Sequence, residues 1–190
     1  MKVRRFAAAL LLLPWLLVSC SDDEPTSDPK EPTGSATMSP SPTGPVEPEL
    51  PGVAKTADKR GAIAFLKYYW AMVDYAQASG DTSGLRQLSM PSCQSCTRAN
   101  AYLEKVYRTG GVIRSESRTV RIRTARRGSS PGRVLFFINA HFVIPASQDF
   151  YGVGDKRNKR WRGGQIEYAF VVQRSVVGGS WQLTIWDTAA

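Results

Sequence analysis

The chain has 190 residues, with 25 Lys or Arg against 16 Asp or Glu and a formal net charge of +9. After a short leader is set aside, that length suits one domain with its own core.

Lys2, Arg4 and Arg5 precede an apolar run over residues 6–18, which closes on Leu17-Val18-Ser19-Cys20. Such a run is too short to span a bilayer, and its cationic start predicts a signal peptide over residues 1–19. Residues 21–51 carry eight of the twelve prolines among Ser, Thr, Asp and Glu, with no periodic apolar face. They cannot offset their ordering entropy by burial, so 20–51 is read as a disordered linker. It spans roughly 30 Å as a coil and about 100 Å as polyproline II. Residues 52–190 remain as a single domain. The basicity belongs there: residues 61–190 hold 18 Lys plus Arg against 8 Asp plus Glu, whereas residues 20–60 hold 4 against 8.

Residues 57–78 are predicted as a long helix. At 100° per residue, Ala62, Ile63, Phe65, Leu66, Tyr69, Trp70, Met72, Val73 and Ala76 share one half of the wheel, opposite Arg60, Lys67 and Asp74. Gly80 supplies the stop. Asp81-Thr82-Ser83 caps a short second helix reaching Leu88, and Pro91 prevents its continuation. A third helix runs from Ser92 or Ser95 to Arg108, with Ala99, Tyr102, Leu103 and Val106 on one stripe. After Gly111 the apolar period falls to 2, which predicts strands at about 112–124, 133–144, 165–177 and 180–187. Residues 145–164 are left as a long basic link. Helices first and a meander afterwards argue for α+β: N-terminal helices packed on a curved antiparallel β-sheet of about four strands.

Four groups of residues are candidates for function. Cys93 and Cys96 suit a structural disulfide pinning the turn between helices two and three. A dithiol redox pair at a helix N-terminus is the alternative, but that chemistry belongs after a strand. A metal at this pair would need two more ligands, which the lone His141 cannot supply. His141 itself lies mid-strand, and general acid–base work would need Asp74 or Glu167 as its carboxylate. Asp74 shares its arc with Lys67, which favours a solvated position. Lys156, Arg157, Lys159, Arg160 and Arg162 surround Trp161 in the densest charge cluster. Inside a cell this would suit nucleic acid. Outside the membrane the available polyanions are lipid headgroups and cell-wall polymers, so no nucleic-acid partner is assigned. Each cation near an anionic leaflet contributes about 1 kcal/mol. Arg114, Arg118, Arg121, Arg123, Arg126 and Arg127 extend that face if the first strand lies beside the loop. Finally, Tyr68, Tyr69 and Trp70 with Tyr168 and His141 could line a pocket between helix one and the sheet, although aromatic stripes are more often plain core. No phosphate loop, nucleophile elbow, HExxH or carboxylate pair occurs, so no catalytic residue, metal or cofactor is assigned.

Leu17-Val18-Ser19-Cys20 resembles the bacterial lipobox. That resemblance implies diacylglyceryl transfer to Cys20, cleavage after Ser19, and a lipid-anchored protein on the extracytoplasmic face of the cell membrane. The runs Gly61-Ala-Ile-Ala-Phe-Leu-Lys-Tyr-Tyr-Trp70, Tyr75-Ala-Gln-Ala-Ser-Gly-Asp81 and Met90-Pro-Ser-Cys-Gln-Ser-Cys96 are similar to an actinobacterial lipoprotein family defined only as a domain of unknown function. This implies an exported, anchored protein and brings no catalytic residues. More loosely, helices followed by a curved antiparallel sheet look like the cone-shaped fold of the nuclear transport factor two superfamily, which includes enzymes and binding modules. The family's enzymes lean on Asp, His or Tyr in the cone, roles open here to His141, Tyr68 and Tyr69. The expectation is therefore a non-catalytic binding module for a protein partner or an anionic envelope component. The alternatives are a small-molecule-binding or enzymatic cone using His141, and a thiol–disulfide protein using Cys93 and Cys96.

Overall fold

A computed structural model describes residues 44–189; the signal segment 1–19, Cys20 and the linker as far as residue 43 lie outside the described residues. Helix α1 (Lys59–Ser79) starts where the Asp58 carboxylate accepts a hydrogen bond from Gly61 N at 2.8 Å. A side chain at position 61 would overlap the Thr56 carbonyl, so glycine is needed for the chain to turn into the helix. The helix stops at Gly80, which is left-handed at φ 82° and lies under the Tyr107 ring. Its buried stripe is the predicted one, including Phe65, Leu66, Tyr69, Trp70, Met72 and Ala76, while Arg60 and Lys67 are exposed.

Helix α2 (Ser83–Gln87) follows an Asp81 carboxylate that accepts from Ser83 N at 2.9 Å. Helix α3 (Gln94–Arg108) opens at Cys93, whose sulfur accepts from Cys96 N at 3.4 Å. The stripe α3 buries is Cys96, Asn100, Leu103 and Val106. It is rotated from the predicted one: Ala99 is half-buried and Tyr102 exposed. Both cysteines of the first turn are driven into the core, and this sets the phase of the helix.

Seven strands follow where four were predicted. Strands β2 (Thr119–Ser130), β3 (Arg133–Ile144), β6 (Gly164–Ser175) and β7 (Gln182–Thr188) form an antiparallel sheet in the order β2-β3-β6-β7. Strands β1 (Val112–Ser115), β4 (Ser147–Phe150) and β5 (Lys159–Trp161) form a second, in the order β1-β4-β5. The predicted first strand is thus broken at residues 116–118, and the predicted basic link holds two strands of its own. Chain from Glu47 to Pro51, assigned above to the linker, also belongs to the domain. Pro48 and Pro51 line an apolar groove with Ile63, Ala64 and Tyr68 of α1, which gives this stretch an apolar surface to lie against.

Helix α1 lies against β1, β2, β3 and β6. On β3, Val134, Phe136, Ile138, Ala140 and Phe142 are buried in strict alternation, and Ile138 and Phe170 pair across the sheet. Trp70 of α1 stands among their rings, with centroids 4.8 Å from Phe142, 4.9 Å from Trp186 and 6.0 Å from Phe170. A packed aromatic set of this kind contributes about 0.5–1.5 kcal/mol per pair beyond its area burial.

Asp74 is not solvated, as its place on the wheel suggested. At the break between β1 and β2, Arg118 turns inward and its Nε donates to Asp74 Oδ1 at 2.7 Å. It also donates to the Gln77 side chain, and its guanidinium carbon lies 5.0 Å from the Trp70 ring centroid. Side-chain exposure is only 9% for Arg118 and 19% for Asp74. Burial raises the Asp74 carboxyl above its ordinary value of 3.8, against the opposing charge of Arg118. Just above 3.8, the native state holds a proton that the unfolded chain has released. Stability from this group is therefore fully present below 3.8 and is lost as pH rises through the raised value. Arg118→Met should cost about 3 kcal/mol in urea unfolding and move that pH window upward, because the carboxylate loses its partner. Adding Asp74→Leu should recover part of the loss; no recovery would show that the pair is not the source.

Candidate functional site

The structure separates the pocket candidates. Tyr69 and Trp70 are buried, and Tyr168 stacks 6.4 Å from Trp70, so these three do meet. They fill the space between α1 and the sheet with rings. Burial holds the Tyr69 hydroxyl well above its ordinary value, with Arg118 opposing. Tyr68 faces the other way, into the groove with Pro48 and Pro51. His141 is on the opposite face of the sheet. It pairs in register with Glu167, while the adjacent Ala140 and Tyr168 pair on the inner face. The strand period of 2 therefore excludes His141 from the ring cluster, and an Asp74–His141 pair does not form. His141 Nδ1 instead lies 3.0 Å from Glu167 Oε1, which also accepts from Arg123 Nε at 3.3 Å.

Cys93 and Cys96 are joined as a disulfide, with relative exposures of 2% and 0%. A sulfur so enclosed cannot meet the thiol of a partner protein, which the redox alternative requires. Among the described residues, no group of three His, Cys, Asp or Glu is placed to hold a metal ion. No helix of the described residues is long and apolar enough to cross a membrane.

The basic cluster is built into the three-stranded sheet. Asn158 stitches its approach: its side-chain oxygen accepts from Tyr151 N at 2.8 Å, and its amide donates to the Gly152 carbonyl at 2.7 Å. Arg157 forks onto Asp155, lies 4.3 Å from the Tyr151 ring centroid and reaches the Thr109 carbonyl. Hydrogen bonds from the Arg157 side chain and backbone N–H hold the half-buried Asp155 carboxyl down at about 2. Lys159, Arg160 and Trp161 then form edge strand β5, and all three are exposed. Within the described residues, no carboxylate lies within 4.0 Å of Lys156, Lys159, Arg160 or Arg162.

Trp161 is fastened from beneath. Its Nε1 donates to Asp149 Oδ2 at 3.1 Å, its ring meets Tyr102 of α3 edge-on at 6.1 Å, and Lys159 Nζ sits 3.5 Å from its centroid. Tyr102 donates to the same carboxylate oxygen; burial and the Asp149 carboxylate hold its hydroxyl well above the ordinary value, so it remains a donor. Asp149 itself is 4% exposed.

Of the arginines that could have extended this surface, only Arg114 joins it. The register places Arg114, Gln148 and Arg160 in one row, and Arg114 lies 3.6 Å from the Phe150 ring centroid. Arg118 is turned inward, whereas Arg121, Arg123, Arg126 and Arg127 belong to the other sheet because the predicted strand is two strands. Asp149 had no role in the sequence reading, Tyr102 stood there only on the core stripe of the third helix, and Arg118 only among the arginines extending the basic face. An acidic residue among strand formers and the Glu116-Ser117-Arg118 interruption were the available signals.

Helices laid on an antiparallel four-stranded sheet, with a small second sheet, define an α+β domain of the cone-like kind. The chain belongs to the "Family of unknown function (DUF6318)", whose profile matches residues 35–185. No curated protein matches it significantly in sequence. Among solved structures it is similar to the intermembrane space region of the chloroplast protein ARC6, at 12% identity and TM-score 0.51, over 70% of this chain and 97% of that one. Lesser likenesses are to a Xanthomonas campestris protein assigned as a calcium/calmodulin dependent protein kinase II association domain and to a chain described as "Rd1NTF2_05 with long sheet". The first has 15% identity, TM-score 0.35, and covers 76% of this chain and 93% of that one. The second has 12% identity, TM-score 0.34, and covers 66% and 96%. At such identity the ARC6 likeness concerns the fold alone, and the other two carry no argument.

Replacing both cysteines, Cys93→Ser with Cys96→Ser, should cost about 2 kcal/mol by loop-closure entropy, seen as a lowered Tm. The intact protein should not reduce insulin; turnover that disappears in Cys93→Ser would restore the redox reading.

Proposed function

We propose that the protein is a lipid-anchored, extracytoplasmic binding module that engages an anionic component of the cell envelope without catalysing a reaction. The observation that carries this reading is the basic strand: among the described residues four cations lack carboxylate partners, Lys159 and Arg160 on edge strand β5 in register with Arg114 across β4, and Lys156 and Arg162 in the chain flanking it. Cations left unpaired on a surface favour a polyanion, and the two ends of the chain's charge distribution support the same arrangement. An acidic linker next to the anchor and a basic domain beyond it would turn the domain's cationic side toward an anionic layer. Trp161 contributes by holding the strand rather than by inserting, because its N–H is already committed to Asp149.

The cone-enzyme alternative is left without His141 as its titrating group, because that residue is on the far face of the sheet from the rings. Lipid on Cys20 is supported by the leader and its four closing residues.

Reversing Lys156, Lys159, Arg160 and Arg162 to Glu should abolish salt-sensitive binding to phosphatidylglycerol vesicles or wall preparations, lowering affinity by at least about a hundredfold at roughly 1 kcal/mol per cation. Binding that survives the reversal removes the reading. In the native host, Cys20→Ser should move the protein out of the membrane fraction, and the mass of the mature amino terminus should report acyl groups on Cys20. An unmodified amino terminus excludes the anchor.

A further inference from the structure

At the end of the four-stranded sheet remote from His141, a cavity of about 310 Å³ opens between the 3-10 turn Gly52–Lys55, α1, α2 and the β6–β7 turn. Its walls are apolar: Leu50, Phe65, Leu88 and Trp181. The polar side chains are few: the cations Arg174, from the end of β6, and Lys55, with the neutral Gln87 and Ser180. A concave, mostly apolar space with a small number of converging polar groups is the usual anatomy of a small-molecule site.

Arg174 decides which chemistry fits. Its Nη1 donates to the Lys55 carbonyl at 2.6 Å, and its guanidinium carbon lies 5.7 Å from the Trp181 ring centroid. Its Nε is buried with no hydrogen-bond partner. Within the described residues, no carboxylate lies within 4.0 Å of it. The edge formed by Nε and Nη2 is therefore left without a described acceptor, and this is the side-on edge that receives both oxygens of a carboxylate. An orphaned guanidinium N–H is costly, and a small rotation of the group toward an anion in the cavity would remove that cost. Lys55, an exposed lining residue, brings a second positive charge to the neighbourhood.

We propose that this cavity binds a small amphipathic carboxylate, its headgroup on the Nε/Nη2 edge of Arg174 and its apolar body against Phe65, Leu88 and Trp181. The site is separate from the basic strand and needs neither the anchor nor a polyanion.

The test is isothermal titration of the full chain with 4-phenylbutyrate and with its uncharged amide. The acid should bind saturably at one site, and the amide at least tenfold more weakly. Arg174→Met should weaken the acid at least tenfold with the far-UV spectrum unchanged. Gln87→Trp, a substitution of an exposed residue at the cavity wall, should block the acid while leaving Arg174 in place. Absence of saturable binding, equal affinity for acid and amide, or full affinity in either variant would overturn the assignment. If Arg174→Met fails to fold, the acid–amide ratio and Gln87→Trp decide alone.

Discussion

The guanidinium of Arg118 is held by Asp74 and Gln77 from one side and by the Trp70 ring from another. A charge at 9% exposure cannot remain there unpaired, so its position obliges the chain to turn inward between β1 and β2. That turn is what divides the strands into two sheets. Had residues 112–124 continued as one strand, β1 would have no separate partners in β4 and β5, and the basic segment would have no sheet to join. The ring cluster around Trp70 and the ordered edge at β5 thus both depend on one buried ion pair.

Much of the fold was legible because its period was strong. The buried stripe of α1 and the alternation along β3 follow directly from the spacing of Phe65, Leu66, Tyr69 and Trp70 and of Val134 through Phe142. What was not legible were the places where a polar residue carries the structure. Asp74 sits opposite the apolar arc, and only a cation forty-four residues away makes its burial tolerable. The phase of α3 was misjudged because Tyr102 reads as a core residue, whereas its hydroxyl is committed to Asp149 and the cysteines take the inward positions. Strands β4 and β5 are only four and three residues long, too short for any period to register.

The candidate site shows the same division. The cluster from Lys156 to Arg162 was visible as composition, but its ordering by Asn158 and Asp149 is a tertiary matter. His141 was placed mid-strand, as it is, yet the grouping of it with Tyr168 crossed the sheet, since Tyr168 is the neighbour of its partner Glu167. Neighbouring residues of a strand cannot share a side. Arg174 drew no notice, since one arginine near a Gly-Gly turn has no pattern; its significance comes from a single unmatched N–H.

Fastening Trp161 to a carboxylate and a phenol beneath it has a mechanical consequence. Against the proposed polyanion, the ridge it belongs to would act as a stamp rather than a hook: it would press its charge against something flat, with the Trp161 ring held back from driving in. Grip of that sort is governed by ionic strength instead of by depth. A partner could therefore be gained or shed by salt alone, without any rearrangement of the domain.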